Sequence, residues 1–171
     1  MTRPILNIAD VEYRDHGHNA RGQGNAPEKF QAKMGLIGIR IGAAKLGYNV
    51  TVVPPGKQAF PFHSHRVNEE MFVILDGEGE LRFGKERFPI KQGDVIACPA
   101  GGPEVAHQII NTSKGDLKYL GVSTKTSPEI VEYPDSAKFG ILAEFPRADG
   151  KMDGFRYVGR GDGTLDYWEG E

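Results

Sequence analysis

The sequence predicts an all-β domain, and three observations carry that prediction. Glycine supplies 23 of 171 residues without a Gly-X-Y period, about 13% against an average near 7%, so tight turns are frequent. Short runs rich in β-branched and aromatic residues recur at roughly 8–12 residue spacing, with turn residues between them, as in sandwiches and barrels. No stretch of a dozen residues shows a convincing helical apolar period.

In chain order, an apolar patch (Ile5, Leu6, Ile8) precedes Asp15 to Pro27, where glycines, two His and two Asn read as a loop or arm. Residues 1–33 are therefore expected to form an N-terminal arm. Gly35 to Ile41 alternates loosely, and Tyr48 to Val53 is β-branched and stopped by Pro54-Pro55-Gly56. Met71 to Leu75 runs into Asp76-Gly77, a hairpin signal. Glu80 to Phe83 and Phe88 to Ile90 flank Gly84-Lys85, and Val95 to Ala97 follows the Lys91 to Asp94 turn. Ala106 to Ile110 and Leu117 to Thr124 complete a barrel over residues 34–125. Residues 126–171 combine prolines and glycines with Tyr133, Phe139, Phe145, Phe155, Tyr157, Tyr167 and Trp168. Solvated tails lack so many rings, so this segment is expected to be an irregular arm packed on the barrel or on a neighbouring subunit. The whole chain, 1–171, reads as one domain.

Charge and composition narrow the function classes. Lys and Arg number 21 against 23 Asp and Glu, a near balance that argues against a nucleic-acid partner. The longest apolar run, Met71 to Leu75, has five residues, far short of the ~18 that span a bilayer. The first ten residues lack the apolar core of a secretory signal. The single Cys98 permits no intrachain disulfide, so the expectation is a soluble cytoplasmic protein. Cys98 itself reads as an interior filler without a neighbouring base.

The chemistry-bearing stretch is Gly56 to Gly77, G-K-Q-A-F-P-F-H-S-H-R-V-N-E-E-M-F-V-I-L-D-G. His63 and His65 stand two apart, on one face of a strand, and Glu70 follows five residues later. A chain of this composition produces about 0.14 H-x-H pairs by chance, and roughly 0.002 once the following Glu and Gly are required. A second stretch, G-D-V-I-A-C-P-A-G-G-P-E-V-A-H-Q-I-I-N, starts at Gly93 and places His107 on a later strand. Together these stretches resemble the paired motifs of the cupin superfamily, G-(x)5-H-x-H-(x)3,4-E-(x)6-G and G-(x)5-P-x-G-(x)2-H-(x)3-N. Gly56 sits one residue too early, and five residues replace two between Gly101 and His107. The resemblance covers residues 46–125.

The resemblance implies a double-stranded β-helix, a small jelly-roll barrel with arms at both ends. It further implies that His63, His65, Glu70 and His107 ligate one divalent metal ion (Fe, Mn, Ni, Co or Zn), leaving two open positions. Cupins that look like this run isomerase, dioxygenase and decarboxylase chemistry and are commonly homodimers. The expected function is thus a metal-dependent enzyme of isomerase or dioxygenase type, acting on a small polar or anionic molecule. The alternative is a non-catalytic cupin that binds a sugar or metabolite.

Strand alternation places Phe72 and Ile74 on the inward face with Glu70, and leaves Met71, Val73 and Leu75 needing cover. Glu69 points to the opposite face. Phe72, Tyr48 and Arg66 are candidates for substrate contact, Arg66 because it follows the metal pair directly; Arg40, Lys57, Arg82 and Lys118 are lesser cation candidates. His16 and His18 have no following carboxylate at the right distance and read as a solvated loop, and Gly22-Gln23-Gly24 is not a phosphate loop.

Overall fold

The computed structural model describes residues 3–18, 20, 21, 26–147, 149 and 152–171. Its strands are β1 (Arg14–Gly17), β2 (Gln31–Leu36), β3 (Leu46–Val53), β4 (Ser64–His65), β5 (Glu70–Asp76), β6 (Glu78–Phe83) and β7 (Glu86–Lys91). They continue as β8 (Val95–Cys98), β9 (His107–Ile110), β10 (Leu117–Thr124), β11 (Glu129–Tyr133), β12 (Lys138–Pro146) and β13 (Met152–Gly159). Three sheets result, of order β1-β2-β3-β10-β5-β8, β7-β6-β9 and β13-β12-β11-β4. Every strand pair is antiparallel. This is the expected all-β double-stranded β-helix.

The main core lies between the six- and three-stranded sheets. Val53, Phe72, Ile74, Cys98, Leu117 and Tyr119 of the first meet Leu81, Ile90 and Ile109 of the second. Cys98 fills an apolar position as expected, and burial together with the Glu70 charge pushes its thiol up to about 12, so it is not a nucleophile. Asp76-Gly77 makes the tight β5–β6 turn. Gly77 has φ +82°, and a Cβ there would stand 2.4 Å from the Asp116 carbonyl oxygen, so both backbone angle and space require glycine.

The N-terminal segment covers the outer face of β3 and the Leu75 end of β5, while Met71 at the other end of β5 stays exposed. Val11, Ile37 and Val50 form a second buried cluster against which Leu6, Ile8, Tyr13, Tyr48 and Leu75 pack. The arm is therefore partly built into the sheet: β1 and β2 pair along Arg14–Gly17 and Gln31–Met34. His16, read from sequence as part of a solvated loop, lies on β1 with its ring 4.9 Å from that of Phe60. Gly22-Gln23-Gly24 falls outside the described residues. Gly38–Ile41, expected to continue a strand, is a 3-10 turn closed by Gly42 at φ +84°.

The larger difference concerns residues 126–171. The expected irregular arm contains three strands, and β11 pairs with β4 through Val131–His65 and Glu132–Ser64. Pro134, Pro146 and Gly159 fall at strand ends, Gly140 and Gly154 lie within strands, and Glu129-Ile130-Val131-Glu132-Tyr133 alternates with the two-residue period of a strand. Arg82 of β6 clamps this layer to the barrel by donating to both oxygens of Asp135 at 2.7 and 2.8 Å. Among the described residues no helix is long and apolar enough to cross a membrane.

Candidate metal centre

His63 lies just before β4, and His65 is on it. The chain here is pinned by a two-way backbone bridge to β9, in which His63 N–H donates to the His107 carbonyl (3.2 Å) and His107 N–H to that of His63 (2.7 Å). Glu70 opens β5 and points inward, whereas Glu69 is exposed. The extra Gly102 to Glu104 residues form a 3-10 turn over Pro103–Val105 and leave His107 in place. All four side chains thus converge. Ligand atoms of His63, Glu70 and His107 lie within 4.8 Å of one another. Glu70 Oε2 is 2.9 Å from His107 Nε2, 3.4 Å from His65 Nε2 and 3.7 Å from His63 Nε2.

The other ring nitrogens face acceptors. His63 Nδ1 is 2.8 Å from the Pro61 carbonyl, His107 Nδ1 3.4 Å from that of Val105, and His65 Nδ1 3.4 Å from Glu129 Oε2. These partners favour the tautomer with the proton on Nδ1, which leaves three Nε2 lone pairs aimed at one carboxylate. In neutral imidazoles that arrangement sets acceptor against acceptor. Both nitrogens of His65 are moreover buried without a hydrogen bond of full geometry. Three imidazole nitrogens and a carboxylate sharing a cation-sized gap fit a first-row divalent metal.

Where a ring instead carries its proton on Nε2 it donates to Glu70, as His107 can at 2.9 Å. Burial alone would raise the Glu70 carboxyl, but hydrogen bonds with His107, His63 and His65 hold it well below the usual range. Burial lowers His107. At His65 burial also pulls downward, yet the Glu70 and Glu129 carboxylates outweigh it and raise the group.

The centre opens into a cavity of about 240 Å³ lined by Asn49, Phe60, His63, Phe72, Tyr119 and Tyr133, among others. Phe72 therefore faces it as expected, its ring 5.7 Å from those of His107 and Tyr119. Tyr48 does not: it is on the opposite face of β3, packed on the N-terminal cluster, because alternation turns its neighbour Asn49 inward. Arg66 also points away, exposed and donating to Glu132 at 2.8 Å. Asn49, Tyr133 and Glu129 were missed. For Asn49 the signal was a polar pair, Asn49 and Thr51, sharing one face of a β-branched strand. Glu129 and Tyr133 lay in the segment read as irregular.

Glu129 is the most consequential of these. It is 5% exposed and accepts from Asn68 N–H (2.9 Å), Ile130 N–H (2.8 Å), Val67 N–H (3.2 Å) and the Asn68 side-chain amide. Each of these partners is a donor, so the carboxylate is fixed in place beside His65.

Comparison with known proteins supports the same reading. Residues 49–123 match the Cupin domain family. The oxalate-binding protein of Thermotoga maritima is 37% identical over 70 residues, 41% of this chain and 54% of that one. Quercetin 2,3-dioxygenase of Bacillus subtilis is 29% identical over 105 residues, 57% of this chain and 31% of that one. The aligned segments thus span about half or less of these curated relatives. A crystal structure of a cupin sugar phosphate isomerase from Silicibacter pomeroyi superposes with TM-score 0.75 at 26% identity, covering 96% of this chain and 98% of the other. The paired motifs, the antiparallel double-stranded β-helix and these likenesses show that the chain belongs to the cupin superfamily.

Proposed function

We propose that the chain is a metal-dependent cupin isomerase acting on a small, polyhydroxylated, anionic substrate of the sugar-phosphate kind. The observation that carries this reading is the convergence of three Nε2 atoms on Glu70 at the floor of a cavity. The likeness to a sugar phosphate isomerase over nearly the full length of both chains supports isomerisation ahead of other cupin chemistries. His63, His65, Glu70 and His107 would hold the ion, which supplies Lewis-acid polarisation of a substrate oxygen.

The chain's own residues do the rest. Phe72 and Tyr119 give the cavity an apolar wall that excludes water from the reacting carbons. Asn49 offers an amide to substrate hydroxyls. Burial pushes the Tyr133 and Tyr119 phenols up, so both stay protonated at neutral pH. Tyr133 can therefore donate a hydrogen bond to a substrate oxygen without itself becoming charged. A homodimer in the cytoplasm is part of the proposal.

The test is elemental analysis of the wild-type protein beside a His63→Ala, His65→Ala double variant, followed by turnover of aldose and ketose phosphates. Near-stoichiometric metal in the wild type alone, with interconversion lost in the variant, is the expected result. Absence of metal after reconstitution overturns it. Tight binding without turnover would favour a binding module, the reading that likeness to an oxalate-binding protein supports. Iron with oxygen uptake would favour a dioxygenase.

A further inference from the structure

A second, larger crevice of about 470 Å³ adjoins the metal centre, sharing His65 and Glu70 with the first cavity. One wall is the outer end of β10 and the residues after it, the run Ser123-Thr124-Lys125-Thr126-Ser127. The other is the site-facing side of the C-terminal sheet, including Glu129, Leu142 and Arg156.

Register sets the side chains that face this crevice. Tyr119, Gly121 and Ser123 occupy the inward positions of β10, and Lys125 continues that alternation with its stem across Gly47. On the C-terminal sheet Glu129 pairs with Leu142 and Leu142 with Arg156, so the three share one face. Arg156 is two strands beyond Glu129, about 10 Å away at the usual strand spacing. Its charge reaches the cavity, where it opposes the effect of burial on the Tyr133 phenol.

Lys125 and Arg156 are cations without a counter-ion, since neither has a carboxylate within salt-bridge distance among the described residues. The acids of the crevice are mostly committed elsewhere. Glu129 is surrounded by N–H donors and Glu70 by imidazoles, leaving Glu144 as the opposing carboxylate. Thr124 and Ser127 hydroxyls are engaged with Asn68 and with the Glu144 backbone, whereas those of Ser123 and Thr126 remain available.

We infer that this crevice is the subsite for the anionic end of the substrate, a phosphomonoester held by Arg156 and Lys125 with the Ser123 and Thr126 hydroxyls. The substrate's oxygen-bearing carbons would then extend toward the His63–Glu70 floor. This placement rests on the proposed isomerase reading, but the subsite can be tested without turnover or metal. Two exposed cations facing one concavity raise the local concentration of a dianion and bind it more weakly as salt increases.

The experiment is calorimetric titration of the full chain, metal-free and Mn(II)-loaded, with inorganic phosphate, glucose 6-phosphate and glucose. Metal-free wild type is expected to bind phosphate and glucose 6-phosphate but not glucose. R156A and K125A should each weaken phosphate binding about 10-fold, their combination should abolish it, and E144Q should tighten it. Mn(II) affinity and thermal stability should be unchanged in all three single variants, whose altered side chains line an open crevice. Phosphate binding that requires the metal, or that survives in the double variant, overturns the subsite. Phosphate binding lost in the double variant of a chain that takes up no metal supports the subsite, although the isomerase reading then fails. A metal-loaded, active chain indifferent to both cation substitutions overturns the subsite and leaves that reading intact.

Discussion

Replacing Glu129 by Gln should weaken metal binding although Glu129 is not one of the four proposed ligands. The carboxylate has five donors around it: three backbone N–H groups, the Asn68 amide and, in the metal-ready tautomer, His65 Nδ1–H. Oε1 serves Val67 and Ile130, and Oε2 serves Asn68 and His65, so neither oxygen can become an NH2 without setting donor against donor. Such a buried mismatch costs about 1–3 kcal/mol of stability. Losing the acceptor that holds a metal-bound histidine typically costs 10–100-fold in affinity, about 1.4–2.7 kcal/mol. The assay is competition of Zn(II) or Mn(II) against a calibrated chelator, on protein shown by circular dichroism to be folded. In metal-free protein the His65 ring should also titrate lower by NMR, because one of the carboxylates raising it is gone. Glu129→Asp, which retains the charge, should lose less. A folded Glu129→Gln protein with wild-type affinity and an unchanged His65 titration would refute the reasoning.

Two further outcomes follow from the C-terminal layer. The Arg82 guanidinium holds the Asp135 carboxyl below its ordinary 3.8, so its stabilisation is present above that pH and is lost as pH falls through the lowered folded-state value. With Asp135 55% exposed, Asp135→Asn should cost only about 0.5–1 kcal/mol in urea denaturation at pH 7, and nothing once Asp135 is protonated. An equal loss at both pH values would mean that the pair acts through packing. The opposite face of the C-terminal sheet carries Phe145, Phe155 and Tyr157, all more than 40% exposed. If a second copy covers this face, Phe155→Glu with Tyr157→Glu should convert a dimer to monomer in light scattering; an unchanged mass would place the interface elsewhere.

The parts of this fold that were legible in the sequence are those dictated by local chemistry. Turn residues at Asp76-Gly77 and Gly93-Asp94 bound strands whose inward set, Glu70, Phe72 and Ile74, follows from a period of two. The four converging side chains were legible through the resemblance to the paired cupin motifs, and the three-residue insertion before His107 is absorbed in an exposed turn. Tyr48 and Asn49 show where this reasoning stops. Period two says that adjacent residues face opposite ways, but which face meets the cavity depends on the N-terminal segment covering the other. Arg66 fails for a related reason: it follows His65 just past the end of β4 and turns away from the site to donate to Glu132. The C-terminal strands escaped notice because glycine and proline density outweighed a readable alternation in Glu129 to Tyr133.

That omission matters because the C-terminal strands supply part of the site. β4 is only two residues long, too short to fix an imidazole by its own ladder. It is held from one side by the His63–His107 bridge and from the other by pairing with β11, whose first residue is Glu129. The strand that orders His65 therefore also delivers the carboxylate that orients it, and the same layer continues through Leu142 to Arg156 at the far end of the crevice. A barrel bearing both motifs but lacking this layer would retain four potential ligands, with His65 unbraced and one wall of the crevice missing. The 49–123 cupin segment thus carries the four candidate ligands, and the C-terminal sheet braces His65 and forms one wall of the crevice that leads to them.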